Sequence, residues 1–169
     1  FFQGENSMVE GQLHDERGRR IGHMPGRSGE FIHSINKKIS DNIDVIADVE
    51  TMYMEDADVA ILAWGSVVRP SMNAIKLARG VRDSRIRARA RIVKDIFRRG
   101  ISTTINADYS RLKVGLIKVN TVWPFPEKQI QEIAKNIDIV IVPEMNVGKY
   151  VREVQRALPD KKVVEMSKY

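Results

Sequence analysis

Short apolar runs separated by helical spacing organise most of the chain. Val59-Ala60-Ile61-Leu62-Ala63-Trp64 is a continuous run of strand length, ended by Gly65-Ser66. Lys113-Val114-Gly115-Leu116-Ile117-Lys118-Val119 predicts a second strand and Ile137-Asp138-Ile139-Val140-Ile141-Val142 a third. Lys162-Val163-Val164-Glu165-Met166 predicts the last. Between them the period changes to that of a helix. Val68, Met72, Ile75 and Leu77 follow the first strand, with Ser66 placed to cap that helix. Ile130 and Ile133 line a helix from Glu127 to Lys135, after the stiff turn Trp123-Pro124-Phe125-Pro126, with Pro126 suited to a first helical position. Val151, Val154 and Leu158 line a helix from Gly148 to Ala157. Upstream, Phe31, Ile32, Ile35, Ile39 and Ile43 predict an amphipathic helix from Glu30, with Ser28 or Gly29 near its start.

Alternating strands and helices, with strands apolar enough to be covered twice, predict an α/β fold. It is a small open, mainly parallel sheet with helices on both faces. Ligand sites in such sheets lie at the carboxyl ends of the strands. Here those ends are Gly65-Ser66, Asn120-Thr121 and Glu144-Met145-Asn146.

One stretch departs from the alternation. A helix-to-strand link takes roughly 2–6 residues in such units, whereas residues 80–112 separate the first helix of the sheet from the next strand. Ile86, Ala90, Val93 and Phe97 recur within it at helical spacing, predicting an extra basic helix from about Ser84 to Arg99. Ile101 to Ser110 reads as a polar connection. Residues 1–7, with their Phe-Gln-Gly triplet, resemble a vector remnant; 8–29 read as a polar lead-in or inter-domain linker. Residues 30–169 then form one domain with an insertion at about 80–112.

Charge sharpens this picture. The net charge is +6, and segment 82–99, with eight basic and two acidic residues, accounts for all of it. The molecule is a neutral domain with one basic element, carrying Arg85, Arg87, Arg89, Arg91 and Arg98. Its readings are a solvated face with the apolar stripe packed on its own domain, a protein-partner surface, or a nucleic-acid or lipid contact. Phe97 is its only aromatic and no nucleic-acid motif surrounds it, which weighs against nucleic acid.

The 169 residues contain no cysteine, which excludes a thiolate zinc site, an iron–sulfur cluster held by this chain and a cysteine nucleophile. No apolar run reaches membrane-spanning length and no signal core follows the start, so the cytoplasm is the expected compartment. Neither a Walker phosphate loop nor Gly-x-Gly-x-x-Gly is present. Gly65-Ser66 lacks the rest of a nucleophile elbow, since Val67 and Val68 follow, and Ser66 reads as a helix cap. His14-Asp15-Glu16 are adjacent on an extended segment and point to opposite sides, so a solvated turn is favoured over a metal site. Glu144, with Asn146 and Gly148 opening the next helix, reads as a cap or a bridge to a neighbouring chain, while free amides there could hold an anion. Ser66, Arg69, Glu144, Asn146 and Gly148 are thus the interface or anion-site candidates.

Val59 to Val67, Lys113 to Pro126 with its Trp-Pro-Phe-Pro turn, and Val142-Pro143-Glu144-Met145-Asn146-Val147-Gly148-Lys149 together resemble the α subunit of 2-oxoacid:ferredoxin oxidoreductases. Gly11-Gln12-Leu13-His14-Asp15-Glu16-Arg17-Gly18 resembles the segment joining that subunit's two domains. The resemblance implies a transketolase carboxyl-terminal-like fold. It also implies a parent reaction: coenzyme A-dependent oxidative decarboxylation of a 2-oxoacid, with electrons passed to ferredoxin. Thiamine diphosphate, Mg and iron–sulfur clusters are expected elsewhere in that complex, not in this chain. Only the second domain is matched, so no catalytic, cofactor-binding or metal residue is carried over. The expected role is assembly in an oligomeric complex, with a thiamine-binding β subunit and the amino-terminal α domain as partners. Two rivals remain: the carboxyl-terminal domain of a 2-oxoacid dehydrogenase β subunit, and a free-standing module that binds RNA or an acidic protein through the basic helix.

Overall fold

A computed structural model describes residues 11–80 and 113–167. The chain divides into two units, residues 1–43 and 44–169.

In the first unit, His14 and Arg20 bridge across a turn at 16–18. Helix α1 follows, Pro25–Ser40, with Pro25 in its first turn. It starts ahead of the expected Glu30 because proline's fixed φ suits that position and its missing N–H costs nothing there. None of its residues is buried, and Phe31, Ile32 and Ile35 remain 38%, 49% and 40% exposed.

The second unit is built on a five-stranded sheet. Its elements run α2 (Ile43–Ile46), β1 (Val49–Met52), β2 (Val59–Trp64), α3 (Val68–Ala78), β3 (Val114–Val119), α4 (Glu127–Ile133), β4 (Ile139–Glu144), α5 (Lys149–Ala157) and β5 (Lys162–Ser167). The strand order is β1-β3-β2-β4-β5. β3, β2, β4 and β5 pair in parallel, and β1 closes one side antiparallel to β3, with Val49 opposite Val119 and Met52 opposite Leu116. The helices of the second unit cover both faces. Ala60, Leu62, Ile117, Val140 and Val142 pack with Ile130 of α4 and Val151 and Val154 of α5. Val59, Ile61, Ala63 and Leu116 point the other way and pack with Val68 and Ile75 of α3. Alternate residues of one strand thus feed two cores, which is why these strands read as unbroken apolar runs.

β1 has no counterpart among the predicted strands. Val49-Glu50-Thr51-Met52 is short and half exposed, and its pairing with β3 supplies what its own composition does not. The basic helix predicted from Ser84 to Arg99, with the rest of 81–112, lies outside the described residues.

The amino edge of the sheet is held by one arginine. Arg79, just past α3, donates from Nε to the Val114 carbonyl at 2.7 Å and from Nη2 to the Tyr53 carbonyl at 2.9 Å. It also pairs with Asp56 at 2.7 Å, and Lys113 reaches the other Asp56 oxygen at 3.3 Å. Gly115 lets the turn after β1 pass close: a Cβ there would meet Met54 Sδ and lie 2.9 Å from the Tyr53 carbonyl oxygen.

Candidate functional site

The carboxyl ends of β2, β3 and β4 bring the sequence candidates together. Glu144 is the last residue of β4 and is only 3% exposed. Its Oε2 accepts the Tyr150 N–H at 2.9 Å and its Oε1 the Val151 N–H at 2.8 Å. The Asn146 Oδ1 accepts the Lys149 N–H at 2.9 Å. Gly148 makes the turn between them at φ +72, a left-handed conformation that costs a non-glycine residue on the order of 1 kcal/mol. A strand-end carboxylate therefore sits on the positive end of α5 and satisfies amides that a helix start leaves open. The three amides a bound anion would use are filled from within the chain.

Ser66 does not cap α3. It lies in a 3₁₀ turn, Gly65–Val67, and no side chain caps either the turn or α3. Gly65 takes φ +59, which turns the chain before the helix, and the Ser66 Oγ instead faces the Met145 sulfur at 3.7 Å. Buried Ser71 bonds back to the Val67 carbonyl at 2.8 Å. Arg69 is exposed on the first turn of α3. Arg85, Arg87, Arg89, Arg91 and Arg98 lie outside the described residues.

Behind this edge is an aromatic cluster that the spacing of apolar residues did not reveal. The Tyr150 ring centroid lies 5.6 Å from Trp64 and 5.4 Å from Phe125. The Tyr150 hydroxyl and the Trp64 indole N–H are both buried with no hydrogen-bond partner. Burial, then the charges of Glu153 and Glu144, push the Tyr150 hydroxyl far above the usual phenol range, so it stays neutral. Its parts were visible in the Trp-Pro-Phe-Pro turn and in an aromatic two residues after Gly148, but nothing local pairs them.

Facing outward at the same edge are Trp123, Met145 and Val147, which are 67%, 73% and 63% exposed. In the first unit, Asp15 accepts the backbone N–H groups of Arg17 and Arg19 at 3.0 and 2.9 Å, and the Arg19 Nε at 2.9 Å. Backbone donation from Arg19 leads the causes that hold its carboxyl below the usual range. A turn-forming role thus engages this carboxylate. Among the described residues no group of three or more His, Cys, Asp or Glu is placed to hold a metal ion. No helix among them is long and apolar enough to cross a membrane.

Comparison with known proteins agrees with this architecture. The family profile for pyruvate:ferredoxin oxidoreductase core domain II matches residues 100–169. A 2-oxoglutarate synthase subunit KorA of Methanothermobacter marburgensis is 30% identical over 166 residues, 98% of this chain and 36% of that protein. The subunit of the same name from Methanocaldococcus jannaschii is 29% identical over 157 residues, 92% of this chain and 34% of that protein. The chain thus spans about a third of the length of the curated relatives it matches. A solved 2-oxoglutarate:ferredoxin oxidoreductase from Magnetococcus marinus, with 2-oxoglutarate, coenzyme A and succinyl-CoA bound, shares the fold. The TM-score is 0.55 at 20% identity, over 96% of this chain and 23% of that one. With a matching domain profile over residues 100–169, relatives aligned along nearly its whole length and a common fold, the chain is similar to one domain of the 2-oxoacid:ferredoxin oxidoreductase subunits.

Proposed function

We propose that this chain is a non-catalytic assembly domain of a 2-oxoacid:ferredoxin oxidoreductase subunit. The parent reaction is coenzyme A-dependent oxidative decarboxylation of a 2-oxoacid with electrons delivered to ferredoxin, and the names of the relatives favour 2-oxoglutarate as the acid. Thiamine diphosphate, Mg and the iron–sulfur clusters belong to other parts of the complex, the thiamine to a companion β subunit and the amino-terminal α domain.

The observation that carries this reading is the filled carboxyl edge. Where a parallel α/β sheet usually keeps its ligand, Glu144 and Asn146 occupy the helix-start amides, and apolar side chains face out beside them. Such an edge suits protein contact better than a diphosphate.

The test pairs binding with reconstitution. Calorimetry of the chain with thiamine diphosphate and Mg²⁺ is expected to give no heat of binding. The chain, used as bait in lysate of its source cells, is expected to retain material that reduces a viologen dye only when a 2-oxoacid and coenzyme A are both present. Thiamine diphosphate binding by the chain itself, or lipoamide in place of the dye as the required acceptor, overturns the reading.

A further inference from the structure

We infer that β5 pairs with β5 of a second copy of this chain, antiparallel about a twofold axis, and so joins two five-stranded sheets into one. The inference concerns the chain's contact with itself and stands apart from the assembly reading above.

β5 ends the strand order and, among the described residues, pairs with β4 alone. The Lys162 N–H donates to the Asp138 carbonyl at 2.8 Å, so residue 162 turns its backbone toward β4. The direction alternates along a strand, so Val164 and Met166 do the same, while Val163, Glu165 and Ser167 turn their N–H and C=O groups outward. Such a row of open backbone groups is a template for another strand. One face beside it is also open. α3 packs on β2 and β3, and past it Ile139, Val164 and Met166 are only partly buried.

The strand's own pattern fits it to itself. Outward-turned residues must meet outward-turned residues, which leaves registers centred on Val163, Val164 or Glu165. Centred on Glu165, the register sets two carboxylates directly opposite, which is destabilising. Centred on Val163, it draws the turn at 159–160 into the seam. Centred on Val164, it uses residues 162–166 of both copies, all within β5. Val163 of each copy then exchanges both backbone bonds with Glu165 of the other. Val164 meets its own counterpart, and Lys162 lies opposite Met166, so the partly open apolar face continues across the seam. No like charges face each other. Glu165, which accepts from the Ser167 hydroxyl, comes diagonal to Lys161 of the second copy, whose ammonium donates to the Lys135 carbonyl at 2.9 Å.

The test uses the full chain, which has no cysteine of its own, so an introduced one reports on its own position. In the register centred on Val164 the two Cα atoms at 164 lie about 4.5 Å apart, within disulfide reach, and those at 165 lie beyond about 7 Å. Val164→Cys is expected to give a disulfide-linked dimer on mild oxidation, and Glu165→Cys to give none under the same conditions. In a second arm, sedimentation velocity follows the unaltered chain, Val164→Lys and Val164→Glu. The unaltered chain should dimerise as its concentration rises. Each charged variant alone should dimerise about tenfold more weakly or worse, and an equal mixture of the two should recover a dimer with one of each. Cysteine is close to valine in size, so the first arm decides the matter even where a charged variant fails to fold. An unaltered chain that sediments as a monomer up to about 100 µM overturns the inference. So does a disulfide at 165 as abundant as that at 164, or dimerisation undiminished by either charge at 164.

Discussion

Glu144→Ala is the substitution with the largest consequence that the structure lets us work out. The carboxylate is buried and makes two short bonds to backbone N–H groups at the start of α5. Alanine leaves both donors in a site with little access to water. Each orphaned buried donor costs about 1–3 kcal/mol, and loss of a helix cap by itself costs about 0.5–2 kcal/mol. The two descriptions overlap, so about 3 kcal/mol is the reasonable sum. Glu144→Gln keeps one acceptor oxygen and turns an NH₂ toward the other amide, so it should lose roughly half as much. For a chain of 169 residues the alanine variant should melt about 6–12 °C lower, at about 2–4 °C per kcal/mol. Guanidinium titration followed by fluorescence suits the measurement, because Trp64 stacks near Tyr150 at that helix start. Asn146→Ala is the control: it removes one bond at a partly exposed site and should cost about 0.5–1 kcal/mol. A Glu144→Ala loss below about 1 kcal/mol, or no larger than that of Asn146→Ala, would refute the assignment of Glu144 as the internal anchor of α5.

Tyr150→Phe should be neutral, or stabilising by up to about 1 kcal/mol, since the hydroxyl is buried with no partner; a loss above 1 kcal/mol in the same titration would mean that the hydroxyl has one. The raised Tyr150 pKa makes its contribution fully present below the ordinary value of 10.0 and lost as pH rises above it, so the alkaline fall in melting temperature should shrink in that variant. Asp56, held low chiefly by the hydrogen bond from Arg79, and Glu50, held low chiefly by that from Asn120, act in the opposite sense. Their contribution is intact above their ordinary values of 3.8 and 4.5 and is lost as pH falls through the lower folded-state values, so Asp56→Asn should flatten the acid limb of the stability profile. Gly115→Ala should cost about 1–3 kcal/mol by overpacking against Met54 and the Tyr53 carbonyl, read by denaturant midpoint.

The parallel strands were legible because each buries both faces, so an apolar run and its length suffice to place it. Val59–Trp64 coincides with the expected strand, and β3 begins one residue later than expected. The missing strand was illegible for the complementary reason. Glu50 and Thr51 face solvent, and what fixes β1 is a ladder to residues far along the chain. At the site, Glu144 could be read as a cap because an acid before a glycine and a helix has a local meaning. Ser66 misled because serine before a helix usually caps it, while here Gly65 at φ +59 and a 3₁₀ turn set the start instead. The Trp64–Tyr150–Phe125 cluster joins three segments, so each ring is visible in the sequence but nothing local says that they meet.

Arg79, just past α3, and Lys113, just before β3, meet on the one carboxylate of Asp56. With the two backbone carbonyls that Arg79 also holds, this ties the end of a helix, the turn after β1 and the start of β3 into a single node. Segments joined in that way open together, so hydrogen exchange at the amides of all three should report one shared opening event, with one free energy, and not three local ones.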